Sequence, residues 1–291
     1  MKKNIVIIFI LFLLISCGNF SKSSDLLKEN EASSDKLQVY ASIYPIYDFV
    51  KKIGADKIDA YNITSAGTEP HDFEITSKDM ADLTKADLFI YNGGGMEHYI
   101  DTVKNAVKEL KYIEASSNMS IEGLDPHFWI SPLKAKKQME NIKNALSEID
   151  SDNADYYNSN YNFYADKLDR LDNSIKDSLS KIKNTNLVVT HPAFGHFCRA
   201  YSLNQVAIAR DEADPKTMSG IIDFIKNNNV KAVFCEDFSS SNLADSIAKE
   251  TGVKILTLNP IESLSAEHIN SGEDYFSVME KNIISLTNGL N

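Results

Sequence analysis

Six histidines occur in the 291-residue sequence, and three of them share one local grammar. They stand in Glu69-Pro70-His71, Asp125-Pro126-His127 and His191-Pro192, each directly beside a proline and each in a loop after a strand-like run. Proline fixes φ and interrupts regular structure, so these imidazoles project from fixed loops rather than from helix faces. Neutral imidazole is the commonest protein ligand for zinc and suits other first-row divalent ions. Any one of the three could be an ordinary structural histidine; three in the same context point to a shared metal site. Other spacings are weaker. His71-x-x-Glu74 mimics a ligand pair, but Pro70 takes it off a helix. His196 follows His191 at zinc-like spacing and reads as a packing or orienting neighbour. Glu236 and Asp237 end a strand-like run and could orient His191. His98 and His268 lie in polar segments and are expected to be solvated. Gly93-Gly94-Gly95 lacks the Lys-Ser/Thr that a phosphate-binding loop needs.

The elements that must position these side chains alternate short β-branched runs with helical stretches, the pattern of parallel α/β construction. Strands are expected at 38–44, 58–63, 87–91 and 111–114, then at 187–190, 205–209, 232–235 and 254–258. Helices fit at 46–53, 77–85 and 96–110 in the first half, and at 197–201, 215–228, 241–251 and 275–290 in the second. The expected fold is therefore α/β, with two lobes, each a roughly four-stranded, mainly parallel sheet flanked by helices. Between them, from Pro132 to about Ile182, no strand-like run and no glycine occurs. Tyr157, Tyr161, Tyr164, Leu168, Leu171, Ile175 and Leu179 recur at three and four residues, the stripe of a long amphipathic helix, with Asp152 placed to cap it. One rigid helix joining two lobes predicts a small lobe motion. The expected boundaries are 37–131 for the first lobe, 132–183 for the linking region and 184–291 for the second lobe. In open sheets of this kind ligands bind beyond the carboxyl ends of the strands, so all three histidine loops could converge in the crevice between the lobes.

The chain opens with Lys2 and Lys3 before an unbroken apolar run from Ile5 to Ile15. At ~1.5 Å per residue this run covers about half of the ~30 Å hydrocarbon core, so it reads as a secretory signal over residues 1–16. The string Leu14-Ile15-Ser16-Cys17 resembles the lipobox of bacterial lipoproteins, making Cys17 the lipid-bearing anchor. Residues 17–36, rich in Ser, Lys, Asp, Glu and Asn, read as a flexible tether. A formal net charge of −11 argues against nucleic acid as a partner and favours cations. Of three cysteines, Cys198 and Cys235 remain, and in an exported chain they could pair. The stripe is too short in heptads for a dimerising coiled coil, so a monomer is expected.

The strings Glu69-Pro70-His71-Asp72-Phe73-Glu74, Ala86-Asp87-Leu88-Phe89-Ile90-Tyr91-Asn92-Gly93, Asp125-Pro126-His127-Phe128-Trp129, His191-Pro192-Ala193-Phe194-Gly195 and Asn259-Pro260-Ile261-Glu262-Ser263-Leu264 resemble the zinc- and manganese-binding solute receptors of ABC transporters. The likeness runs in order from about Gln38 to Leu290. It implies two α/β lobes joined by a long helix, a membrane permease as partner, and a metal site built from His71 and His127 of the first lobe with His191 and a carboxylate of the second. Some members place an aspartate where this chain has Asn259. The Asn-Pro-hydrophobic-Glu string resembles the zinc-type subset and makes Glu262 the fourth ligand, leaving Asn259 beside the site. The resemblance implies Zn2+ as the bound ion, with Mn2+ as the alternative, because the stretch Ala115–Leu124 lacks the histidine-rich loop common in zinc-type members. Three nitrogens and one carboxylate still suit zinc better than oxygen-loving manganese. A zinc hydrolase would need an open coordination position and a general base, and no base motif is visible. Some relatives are described as surface adhesins, a role the sequence leaves open.

Overall fold

The structure, a computed structural model, describes residues 36–120, 125–208, 215–236 and 242–291. The proposed signal, Cys17 and nearly all of the tether lie outside the described residues, as does Asp237.

Eight short strands form two parallel four-stranded sheets. The first contains β1 (Leu37–Ala41), β2 (Ile58–Asn62), β3 (Leu88–Tyr91) and β4 (Lys111–Glu114) in the order β2-β1-β3-β4. The second contains β5 (Asn186–Val189), β6 (Asn204–Ala207), β7 (Ala232–Cys235) and β8 (Lys254–Thr257) in the equivalent order β6-β5-β7-β8. Val39 of β1 lies opposite both Ala60 and Leu88, which fixes the register of the first sheet. The central strands are mostly apolar, as strands covered on both faces tend to be, and β3, Leu-Phe-Ile-Tyr, is buried throughout.

Helices α1 (Tyr44–Gly54), α2 (Ser77–Leu83) and α3 (Ile100–Ala106) accompany the first sheet. Helices α6 (Gly195–Ala200), α7 (Pro215–Asn227), α8 (Asn242–Thr251), α9 (Ala266–Asn270) and α10 (Tyr275–Gly289) accompany the second. Local sequence sets their starts: Pro45 opens α1, and reciprocal capping boxes, Thr76 with Asp79 and Asp274 with Ser277, satisfy the first N–H groups of α2 and α10.

Between the sheets, α4 (Pro132–Ile149) and α5 (Ala154–Leu179) fold back on one another around a single turn at Ser151–Asn153. Lys136 on α4 pairs with Asp169 on α5 at 2.6 Å, and Tyr157 donates to Asp150 across the turn. The 26 residues of α5 span about 39 Å. Its stripe faces inward as expected: Tyr157, Leu168, Leu171, Ile175 and Leu179 are buried, with Tyr161 and Tyr164 packed at the edge. One apolar cluster then continues from β1 and α1 through α4 and α5 to α10 and the second sheet. Lys52 of α1 bridges Asp48 at 2.6 Å and Asp274 of α10 at 3.0 Å, adding a charged tie between the sheets' helices. No helix among the described residues is long and apolar enough to cross a membrane.

Several expectations need correction. Asp152 does not cap α5; it sits inside the preceding turn, and Asn153 at the cap position makes no side-chain bond to the helix. The helix expected over 96–110 shrinks to α3, because Gly93-Gly94-Gly95, all with positive φ, wind around the buried carboxylate of Glu97. That carboxylate accepts from Ser42 Oγ and from the N–H groups of Asn92 and Gly93, so an acid occupies the place a phosphate would take. No disulfide joins Cys198 and Cys235: the first is buried on α6, and the second lies on β7 beside the Leu256 carbonyl. Helix α9 was not anticipated, and it leaves His268 half-buried rather than solvated. His98 is the exposed one, 3.4 Å from Glu74.

Candidate metal centre

Each lobe offers its loops from the carboxyl ends of parallel strands. His71 follows β2 in a tight turn at Pro70–Asp72, His127 follows β4, His191 follows β5 and Glu262 follows β8. The four side chains meet, with ligand atoms all within 4.8 Å of one another. Glu262 Oε1 lies 2.7 Å from His127 Nε2, 2.8 Å from His191 Nε2 and 3.8 Å from His71 Nε2. The Nε2 atoms of His71 and His127 are 3.2 Å apart, and those of His191 and His127 are 3.3 Å apart. Ligands ~2.0–2.1 Å from a tetrahedral ion lie about 3.3 Å from each other, and the observed separations bracket that value. His127, His191 and Glu262 are buried, while the His71 side chain is 35% exposed and forms the mouth.

The supporting contacts explain why each loop holds its shape. Asp125 Oδ1 accepts from both the backbone N–H and the Nδ1 of His127, at 3.1 and 2.8 Å, which turns the Nε2 lone pair inward. The Pro126 carbonyl accepts from Asn92 Nδ2, and Asn92 Oδ1 in turn accepts from Gln138. Glu236 approaches His191 Nδ1 at 3.5 Å. His196 points elsewhere: its ring stacks on Phe128, Nε2 donates to the Asp125 carbonyl, and Nδ1 accepts from Arg199. Burial pushes its pKa down, which suits a neutral ring braced from both sides. A Cβ on Gly195 would come within 2.3 Å of Asp125 Oδ2, so glycine is what lets α6 approach that carboxylate.

Glu262 rides on a strained loop. Ile261 has φ +60°, a conformation that costs a β-branched residue ~1–3 kcal/mol. Its N–H donates to Asn259 Oδ1 at 2.7 Å, and the Asn259 backbone is gripped on both sides by the Asn282 amide. Asn259 therefore shapes the turn, its side-chain oxygen engaged by the Ile261 N–H.

The electrostatics follow from this crowding. Burial alone would lower the His127 pKa, but hydrogen bonds to Asp125 and Glu262 push it up to about 9. Burial would raise the Glu262 carboxyl, yet the hydrogen bonds from His127, His191 and His71 hold it well below the usual carboxylate range. Asp125 is likewise held down against burial by His127. Glu69, two residues before His71, is pushed up by burial and by its neighbour Glu262. The Asp125 and Glu262 carboxylates thus favour a proton on the His127 ring, and a divalent cation would compete with that proton.

Sequence reasoning missed Asp125, Asn92, Gln138, Glu69 and Asn282. Asp125 was the legible one, since an acid two residues before His127 is within reach of its own loop. The others act across long sequence separations that no local string reveals.

The family profile described as "ZnuA: Zinc-uptake complex component A periplasmic" matches residues 39–289. The high-affinity zinc uptake system protein ZnuA of Bacillus subtilis (strain 168) is 33% identical over 305 residues, covering 96% of this chain and 94% of that protein. The zinc-binding protein AdcA of Streptococcus pyogenes serotype M1 is 31% identical and covers 98% of this chain; this chain spans only 61% of that relative's length. The crystal structure of the Zn(II)-bound ZnuA-like domain of Streptococcus pneumoniae AdcA superposes with a TM-score of 0.81 at 34% identity, covering 88% of this chain and 99% of that one. With a profile match from β1 to the end of α10, the chain belongs to the ZnuA family of zinc-uptake components.

Proposed function

We propose that this chain is an extracytoplasmic receptor that captures Zn2+ between its two lobes and delivers it to an ABC-type permease. His71, His127, His191 and Glu262 are the ligands. The observation that carries this reading is the convergence of four ligand atoms, all within 4.8 Å of one another and five of their six pairs at 2.7 to 3.8 Å, from loops of two different sheets. Three imidazoles and one carboxylate complete the tetrahedral shell zinc favours, leaving no position for a catalytic water. Manganese prefers more oxygen ligands and a larger shell. The relatives' names, a zinc uptake protein and zinc-binding proteins, agree.

Neighbours divide the remaining work. Asp125 and Glu236 orient His127 and His191, while His196 and Asn259 shape the surrounding loops without ligating. Cys17 carries the lipid that anchors the receptor to the outer face of the membrane, through the tether of residues 17–36, with the signal over residues 1–16 removed. The first lobe covers residues 37–131, the linking helices 132–183 and the second lobe 184–291. The receptor acts as a monomer, and the continuous core through α4 and α5 favours a small closing motion.

Calorimetric titration of the metal-stripped chain with Zn2+ and Mn2+ tests the reading. One equivalent of zinc is expected to bind at least ~100-fold more tightly than manganese. Equal affinities would reassign the cargo, and several zinc equivalents at similar affinity would replace a built site with adventitious surface binding.

A further inference from the structure

The loop that carries Glu262 is gripped from both sides by the other lobe. Trp129, the chain's single tryptophan and fully buried, stands two residues after His127. Its indole N–H donates to the carbonyl of Pro260 at 2.7 Å, two residues before Glu262. Immediately after Glu262, Ser263 Oγ accepts from the N–H of Gly67 at 2.8 Å, and Gly67 lies four residues before His71. Between these grips sits Ile261 in its left-handed conformation. The Trp129 carbonyl is itself tied to the second lobe, by the Tyr275 hydroxyl at 2.7 Å.

We infer that Trp129 and the Gly67–Ser263 bond position Glu262, so that the fourth ligand is presented only while the loops of the two lobes are docked. The inference rests on reading Glu262 as a zinc ligand. A strained turn persists only where its surroundings over-determine it: Asn259 holds Ile261 from within the second lobe, and the loops bearing His127 and His71 add two anchors from the first. Parting the lobes breaks both inter-lobe bonds, leaves the Ile261 turn held by Asn259 alone and lets the carboxylate withdraw. As the lobes part, the ion loses Glu262 first and is left between His71 and His127 of one lobe and His191 of the other, which hold it more weakly. Metal release is thereby coupled to lobe separation through two hydrogen bonds, in addition to the parting of His191 from His71 and His127.

The test uses the full chain with Trp129→Phe, which keeps the aromatic bulk and removes the donor, and Ser263→Ala, which removes the second grip and leaves the indole. Co2+ serves as the spectroscopic probe, because its visible absorption is strong in a four-coordinate site and weak when water enlarges the shell. Both variants are expected to bind one Co2+ with a weakened visible band. Both should release Zn2+ to a chelator about tenfold faster than wild type, as loss of one buried hydrogen bond implies, with an unchanged association rate. Wild-type band intensity and release rates in the variants would overturn the inference, even if their melting temperatures fell, because Trp129 would then serve packing alone. Should Trp129→Phe not fold, Ser263→Ala decides by the same readouts. Failure of the wild-type chain itself to take up one Co2+ or Zn2+ would instead sink the underlying reading of the site.

Discussion

Alanine at His127 is expected to weaken zinc binding by about 100- to 1000-fold. Zinc held by a complete protein shell is bound with an apparent ~10–16 kcal/mol, so one of four ligands accounts for roughly 3–4 kcal/mol. His127 is the ligand with most to lose. It is buried, its ring is oriented by Asp125, and its Nε2 faces Glu262 at 2.7 Å and His71 at 3.2 Å. Alanine at His268 provides the contrast, because that ring lies on α9 and is absent from the four-residue cluster. Competition titration against a chromophoric chelator reads both. Comparable losses at the two positions would remove His127 from the site.

The second large effect is on pH dependence. In the metal-free chain His127 is protonated below about 9, while zinc requires its neutral Nε2. Each unit of pH below that value therefore costs about tenfold in apparent affinity from this group alone, or roughly 1000-fold between pH 9 and pH 6. Glu262 adds nothing over that range, because its carboxyl is held well below the ordinary value and stays ionised. The stability of the metal-free chain should move the opposite way. A histidine whose pKa is raised on folding contributes its full stabilisation below the unfolded value of ~6.5 and loses it as pH rises through about 9. The depressed Glu262 stabilises above its unfolded value of ~4.5 and loses that contribution as pH falls through its folded one. Calorimetry from pH 6 to 9 in buffers of different ionisation enthalpy should show about one proton released per zinc at pH 7.5. A flat affinity with no buffer dependence would mean that His127 is not displaced from its proton by the metal.

These expectations depend on atoms that the sequence placed unevenly. The three histidines could be read directly, because each adjoins a proline that fixes its loop, and parallel α/β alternation sends such loops to one edge. The strands were legible to within a few residues, since β-branched runs buried on both faces leave little ambiguity. Glu262 came only through the likeness of its Asn-Pro-Ile-Glu string to a family. A glutamate beyond a strand has no spacing of its own that marks it as a ligand. Helix boundaries failed where tertiary contacts overrode pattern. The 96–110 stretch has helical periodicity, yet its first turn is lost to the Glu97 carboxylate, which draws in the N–H groups of Asn92 and Gly93. Asp152 has the chemistry of a cap and the wrong position, because α5 begins two residues later. The grip of Trp129 on Pro260 spans 131 residues and depends on the relative placement of two lobes, which no local pattern encodes.

The most direct measurement is X-ray absorption at the zinc edge on the chain loaded with one equivalent of Zn2+. The arrangement of His71, His127, His191 and Glu262 predicts four nitrogen or oxygen neighbours at about 2.0–2.1 Å, with the multiple-scattering signature of three imidazoles. A sulfur shell near ~2.3 Å, or five to six oxygen neighbours with fewer than three imidazoles, would contradict it.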